Sequence, residues 1–235
     1  MRNMDKKLEE IQGLTWLPWI GKEYFSCSDP IMVIGESHYV HDNYTPDKID
    51  SEPGYTREVL NEYVENGREG GNQWTMYESI EKILRDICFE NNRCRTEIWN
   101  SIAYMNIIQH AQCEKSGKKK WEDFLSGWKV VLQVVNVLKP RIVVCFSTDK
   151  ALNRVNFNRL PEFREDISFS YCIKSTGDAG EKIGGTGIAT PGSIKIGESG
   201  TPIPVIFLQH ASRIKQFDAW QKVLQQYLPN GFIIR

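Results

Sequence analysis

The chain has 235 residues, a formal net charge of −1, 40% hydrophobic residues and 25% charged residues. This length and balance fit a globular protein with one sizeable core or two small ones. A near-neutral chain does not hold duplex DNA by overall charge, so a nucleic-acid contact would need a local basic face. No apolar run is long enough to span a bilayer, and the N-terminal MRNMDKKLEEIQ lacks the apolar stretch of a secretory leader. The expectation is a cytoplasmic monomer that does not engage membranes.

The first clear element in chain order is Ile31 to Ile34, introduced by Asp29-Pro30. Four apolar residues in a row suit a strand covered on both faces. It runs directly into Gly35-Glu36-Ser37-His38-Tyr39, an unusual concentration of chemistry at a strand end. Residues 41–74 are polar and rich in Gly, Asn, Asp and Pro. They read as a long loop or insertion with one short helix, and such loops are often lids or binding loops. Thr75 and Glu78 have the spacing of a capping box, and Tyr77, Ile80, Ile83, Leu84 and Ile87 then fall on one helical face.

Residues 98–108 lead from a helix end or turn into a strand that contains Asn106. Trp121, Phe124, Leu125, Trp128, Val131, Leu132, Val135 and Leu138 recur at spacings of three and four, which predicts a helix with both tryptophans in the core. Lys118 to Lys120, just before it, suit a charged helix approach better than a phosphate site. Pro140 ends that helix. Ile142 to Phe146 is the next buried strand, and Ser147 to Asp149 can cap a short helix from Lys150.

Residues 166–173 read as a strand and 175–201 as an exposed Gly-rich loop or hairpin. The Gly-Gly-Thr-Gly within it lacks the strand, helix and Lys-Ser/Thr of a phosphate loop. Ile203 to Leu208 is a third wholly apolar strand, followed by Gln-His-Ala-Ser-Arg. Ser212 can cap a last helix carrying Phe217, Trp220, Leu224 and Tyr227. The six cysteines form no C-x-x-C pair and read as reduced thiols, with Cys145 a buried one.

No repeat or low-complexity linker divides the chain, so residues 1–235 read as a single domain. Alternating helices and buried strands predict an α/β fold with a mostly parallel sheet. Ligands of such sheets bind beyond the carboxyl ends of the strands. Three points with unusual chemistry sit at or near such ends: Gly35 to Tyr39, Asn106 and His210.

At these points the chain resembles the uracil-DNA glycosylase superfamily. Gly35-Glu36-Ser37-His38-Tyr39 stands where that superfamily has forms such as G-Q-D-P-Y or G-E-A-P-G after its first core strand. His210-Ala211-Ser212 stands where it has H-P-S after the last one, and Asn106 in Tyr104-Met105-Asn106-Ile107 stands where it has a base-reading asparagine. Leu138-Lys139-Pro140-Arg141 and the strand after it resemble a further strand of the family, and the motifs follow in order from about Trp16 onward.

The resemblance implies a three-layer α/β/α sandwich with a central, mostly parallel four-stranded sheet. It implies excision of a flipped uracil or other damaged base from single- or double-stranded DNA, with no cofactor. His210 would donate to the leaving base, and Asn106 would read the base edge. Tyr39 would shape the pocket, with Gly35 and Ser212 beside the base. Arg213 and Lys215 would meet phosphates. The chain departs from the pattern at Ser37, where an acid or amide is usual, and at His38 and Ala211, where proline is usual. A base could instead be Glu36, His38 or Asp42. The cysteines do not match the family's iron–sulfur set.

Bland readings stand beside these. A histidine beside an apolar strand is often only a hydrogen-bonded structural residue. Asn106 can bridge core loops, and Glu36 can order its own turn. Two further functions fit the residues: a nucleobase- or nucleic-acid-binding module of the same fold, and a hydrolase. The hydrolase would use Ser37 with His38 or His210, or a metal at His38, His41 and Asp42, although no G-x-S-x-G elbow is present.

Overall fold

The computed structural model describes residues 2–40, 44–67, 74–88, 94–113, 120–146, 167–170, 182–183, 187–188, 190–196, 201–208, 210–214 and 217–218. The fold is α/β. Its helices are α1 (Arg2–Glu9), α2 (Pro46–Asp50), α3 (Tyr55–Asn66), α4 (Thr75–Cys88), α5 (Arg95–Ser101) and α6 (Trp121–Leu138). Its strands are β1 (Trp19–Ile20), β2 (Ile31–Gly35), β3 (Ile102–Asn106), β4 (Ile142–Cys145), β5 (Ile167–Ser170), β6 (Lys182–Ile183), β7 (Gly187–Ile188), β8 (Thr190–Ile196) and β9 (Ile203–Phe207).

Seven strands form one sheet in the order β1-β3-β2-β4-β9-β8-β5, and β6 pairs with β7 apart from it. The sheet is mixed. β3, β2, β4 and β9 pair in parallel, while β1, β8 and β5 join antiparallel. The expected four strands are thus corrected to seven. β1 has only two residues, too few for a periodic signal, and β8 contains Pro191 and Gly192, which read as loop.

Period-two alternation divides each parallel strand between two cores. Ile31, Val33, Tyr104, Ile142, Val144 and Ile206 pack with residues of α3, α4 and α5. Met32, Ile34, Met105, Val143, Cys145, Val205 and Phe207 pack with α1 and α6. The connection from β2 to β3 therefore runs over one face, and that from β3 to β4 over the other. The strand order reverses direction beside β2, which makes the carboxyl edge there a topological switch point.

The long helices follow their sequence signals. Tyr77, Ile80, Ile83 and Leu84 of α4 are buried, as are Phe124, Trp128, Val131, Leu132, Val135 and Leu138 of α6. Lys139 ends α6 in the left-handed region at φ 50°, and Pro140 blocks its continuation. Within the expected long loop lie two helices. Thr45 caps α2 by accepting the Lys48 N–H, with Pro46 in its first turn. In α3 the buried stripe is only Thr56, Leu60 and Tyr63, which polar neighbours hide from a periodicity reading. The cap expected at Ser147 to Asp149, its helix, Lys118, Lys119, the Gly-Gly-Thr of the Gly-rich run and the last helix beyond Asp218 lie outside the described residues. No described helix is long and apolar enough to cross a membrane.

Candidate active site

The segment after β2 is a pinned extension of the sheet. Ile107 N–H donates to Gly35 O (3.0 Å), Ile108 N–H to Glu36 O (2.9 Å) and Gln112 N–H to His38 O (2.9 Å). Val40 N–H returns a bond to Gln112 O (2.9 Å). Glu36, Ser37 and His38 are consequently buried. Gly35 is required by close approach. A Cβ there would lie 2.1 Å from Tyr104 Oη and 2.5 Å from Asn106 Oδ1. Gly35→Ala is expected to cost about 1–3 kcal/mol, the usual range for overpacking a tight core. A urea titration of the variant, read as a lower midpoint at unchanged slope, checks this.

Asn106 is the register partner of Gly35 and is 1% exposed. Its Oδ1 accepts from the Tyr104 hydroxyl at 2.8 Å. Tyr104 is in turn hydrogen-bonded to Tyr77, and burial pushes both phenols well above their ordinary range. Both hydroxyls therefore remain protonated at neutral pH, and Tyr104 is a constant donor. With that hydroxyl donating to it, the amide presents its oxygen to Tyr104 and directs its nitrogen elsewhere. Nδ2 is buried and has no hydrogen-bond partner among the described residues. An unmet donor of this kind costs about 1–3 kcal/mol, so Nδ2 is poised for an acceptor, whether an ordered water or a ligand carbonyl.

The remaining residues of the turn have distinct environments. Tyr39 Oη donates to Glu36 Oε1 at 3.0 Å. Ser37 Oγ donates to the carbonyls of His110 (3.0 Å) and His38 (3.2 Å). His38 Nε2 lies 2.9 Å from Thr56 Oγ1. Its ring sits edge-on between Trp16 and Tyr55, with centroids 4.8 and 4.9 Å away. The Ser37 hydroxyl is thus directed at backbone oxygens and not at an imidazole nitrogen.

His210 lies at the same edge of the sheet. Phe146 N–H donates to Ile34 O and Leu208 N–H to Cys145 O, both at 2.8 Å, so the ends of β2, β4 and β9 are level. β9 stands two strand spacings from β2, about 10 Å. His210 caps a short 3-10 turn, Ala211–Arg213, its Nδ1 accepting the Ser212 N–H at 3.3 Å, with Ser212 Oγ 2.7 Å away. An accepting Nδ1 puts the proton of a neutral imidazole on Nε2, which is then a donor. Ser212, expected to cap the last helix, lies within this turn, and the residues joining it to that helix lie outside the described residues. Of Arg213 only the backbone is described, and Lys215, His41 and Asp42 lie outside the described residues.

Gly35, Glu36, Tyr39 and Asn106 therefore share one edge cluster, with His210 and Ser212 level with it. The Ser37 hydroxyl and the His38 ring are taken up by backbone and aromatic contacts. No group of three or more His, Cys, Asp or Glu among the described residues is arranged to hold a metal. A cleft of about 490 Å³ opens at the opposite edge of the sheet, before β2, β4 and β9. Its described lining, which includes Pro30, Pro140, Pro202 and Pro204, offers no carboxylate, imidazole or thiol.

Sequence reading alone passes over the role of Tyr104 and passes over His110 entirely. His110 Nε2 is 3.1 Å from Asp123 Oδ1, and its Nδ1 is 3.0 Å from Gln112 Nε2. The available signal is a recurrence: Gln-His-Ala follows the buried strand end at 109–111 and again at 209–211. No known family matches the chain, and no curated protein is detectably similar to it.

Proposed function

We propose that the chain is a divergent uracil-DNA glycosylase-like enzyme, hydrolysing the N-glycosidic bond of a flipped uracil or other damaged base in DNA. The observation that carries this reading is the Asn106 amide: buried, oriented by Tyr104, and with Nδ2 unmet at the carboxyl edge of a parallel strand. A base carbonyl can take Nδ2–H, while a ring N–H can reach the second lone pair of Oδ1. Breaking the glycosidic bond leaves the electron pair on the base. Preorganised donors stabilise that charge, and this role is assigned to Nδ2 of Asn106 and Nε2 of His210. Water adds to the sugar carbon, giving an abasic site and the free base.

The four contiguous parallel strands with helices on both faces support the same family resemblance. The test is an excision assay on single- and double-stranded oligonucleotides bearing uracil and several other lesions. Alkali-labile breaks at the lesion are expected. Blank lanes across the whole set would overturn the reading. Within it, Tyr104→Phe is expected to cut the preference for uracil over cytosine about tenfold, the worth of one buried hydrogen bond. Cytosine presents an amino group where uracil has a carbonyl, so it is tolerated only if the Asn106 amide can flip. Competition between the two substrates measures that ratio.

A second reading, a nucleobase-binding module without catalysis, is favoured by one observation. Glu36, Ser37 and His38 are all buried, so the turn itself presents no open base. Base binding with no excision would select it. The serine-hydrolase alternative loses its support, because the Ser37 hydroxyl donates to backbone carbonyls.

A further inference from the structure

We infer that His110, held by Asp123, is the general base that activates the attacking water in this site, an assignment that rests on the glycosylase reading above. The reaction needs a proton acceptor, and none stands open among the described residues of the turn. The Ser37 O–H is directed at carbonyls, the His38 ring is enclosed by Trp16, Tyr55 and Thr56, and the buried Glu36 accepts from Tyr39. His110 differs. It follows β3 by four residues, at the same edge as Asn106, and its side chain is 48% exposed. The carbonyl of His110 receives the Ser37 hydroxyl at 3.0 Å, so its backbone is tied to the middle of the turn.

The surroundings of the imidazole set its tautomer. Gln112 Nε2 can only donate, so Nδ1, 3.0 Å away, is the acceptor. The ring proton then sits on Nε2, which faces Asp123 Oδ1 at 3.1 Å. Asp123 is itself immobilised, since its other oxygen accepts the Lys120 N–H at 3.2 Å in the first turn of α6. α6 is pressed onto this segment, because a Cβ at Gly127 would lie 2.1 Å from Ile107 O. Among the described residues, the other charged ones near this segment are Lys120, at the start of α6, and Asp50 of α2, which accepts the Ala111 N–H at 2.8 Å.

A carboxylate on one ring nitrogen and a lone pair on the other is the arrangement of an oriented general base. A water that displaces the exposed Gln112 amide gives its proton to Nδ1 as its oxygen bonds to the sugar carbon. The C–N bond breaks with its electron pair on the base, and the imidazolium returns the proton to the released base or to solvent. Atoms and charge balance with no other reactant.

Excision kinetics, on the substrate the wild type cleaves, test this with His110→Gln and Asp123→Asn. Thermal melts of both variants verify folding. The expected result is a loss in kcat of about 10²-fold in His110→Gln with KM little changed, the usual share of a general base. Asp123→Asn should lower kcat and leave KM. If the folded His110→Gln protein keeps the wild-type kcat, His110 is not the base, and the glycosylase reading survives. If the wild type excises nothing, both fall.

Discussion

Replacing His210 by alanine is expected to slow base excision by about 10²–10³-fold, the cost of removing one preorganised donor from a developing anion. The reason is local. Nδ1 is committed to Ser212, so Nε2 carries the hydrogen and is the only nitrogen that can donate. The loss should fall on kcat, because the charge it meets exists only as the bond breaks. His210→Gln should retain part of the rate, since an amide can still donate. Single-turnover excision by the three proteins measures the difference. Equal rates in wild type and His210→Ala would remove His210 from the chemistry.

The second large effect concerns stability. Glu81→Ala is expected to destabilise the fold by about 3 kcal/mol, the lower end for breaking a buried ion pair. Glu81 is buried in α4. It pairs with Arg85, faces Arg95 Nε at 3.4 Å, and accepts from Tyr63 Oη at 2.7 Å. The Arg95 guanidinium also covers the Tyr63 ring, 5.0 Å from its centroid. Alanine leaves the Tyr63 hydroxyl without its acceptor. Both arginines keep about a third of their side chains in solvent and can rehydrate, which holds the loss to the lower end. Glu81→Gln keeps an acceptor for Tyr63 and should lose less. Denaturant midpoints of the three proteins check the order.

This network also supports the site. Tyr63, Tyr77, Trp99 and Tyr104 form one aromatic cluster with centroids 5.4–6.0 Å apart, and Tyr77 leads through Tyr104 to Asn106. Loosening α4 should therefore blur the orientation of the Asn106 amide as well as lower stability.

The parts of the fold that were legible in sequence are those with a long periodic signal. Ile31 to Ile34 and Ile142 to Cys145 show as apolar runs because both their faces are covered. α6 shows because its buried residues repeat over eighteen positions. β1 is too short to register, the Pro-Gly in β8 disguises it, and the buried stripe of α3 is diluted by polar neighbours. In the site, the strand-end positions of Gly35, Asn106 and His210 follow from the alternation of helices and strands. The environments of Ser37 and His38 do not, because their partners His110 and Thr56 are 73 and 18 residues away in the chain. Long-range partners leave no mark in the local pattern that reveals a strand or helix.

In the proposed enzyme, Asn106 and His210 address one base. Titrating uracil into protein labelled with ¹⁵N, and following the Asn106 side-chain amide with the His210 ring nitrogens, tests it most directly. Both sets of resonances are expected to move along one saturation curve, and Asn106→Ala is expected to abolish the response at His210. Resonances that stay fixed to the solubility limit of the base, or a response at only one of the two residues, would contradict it.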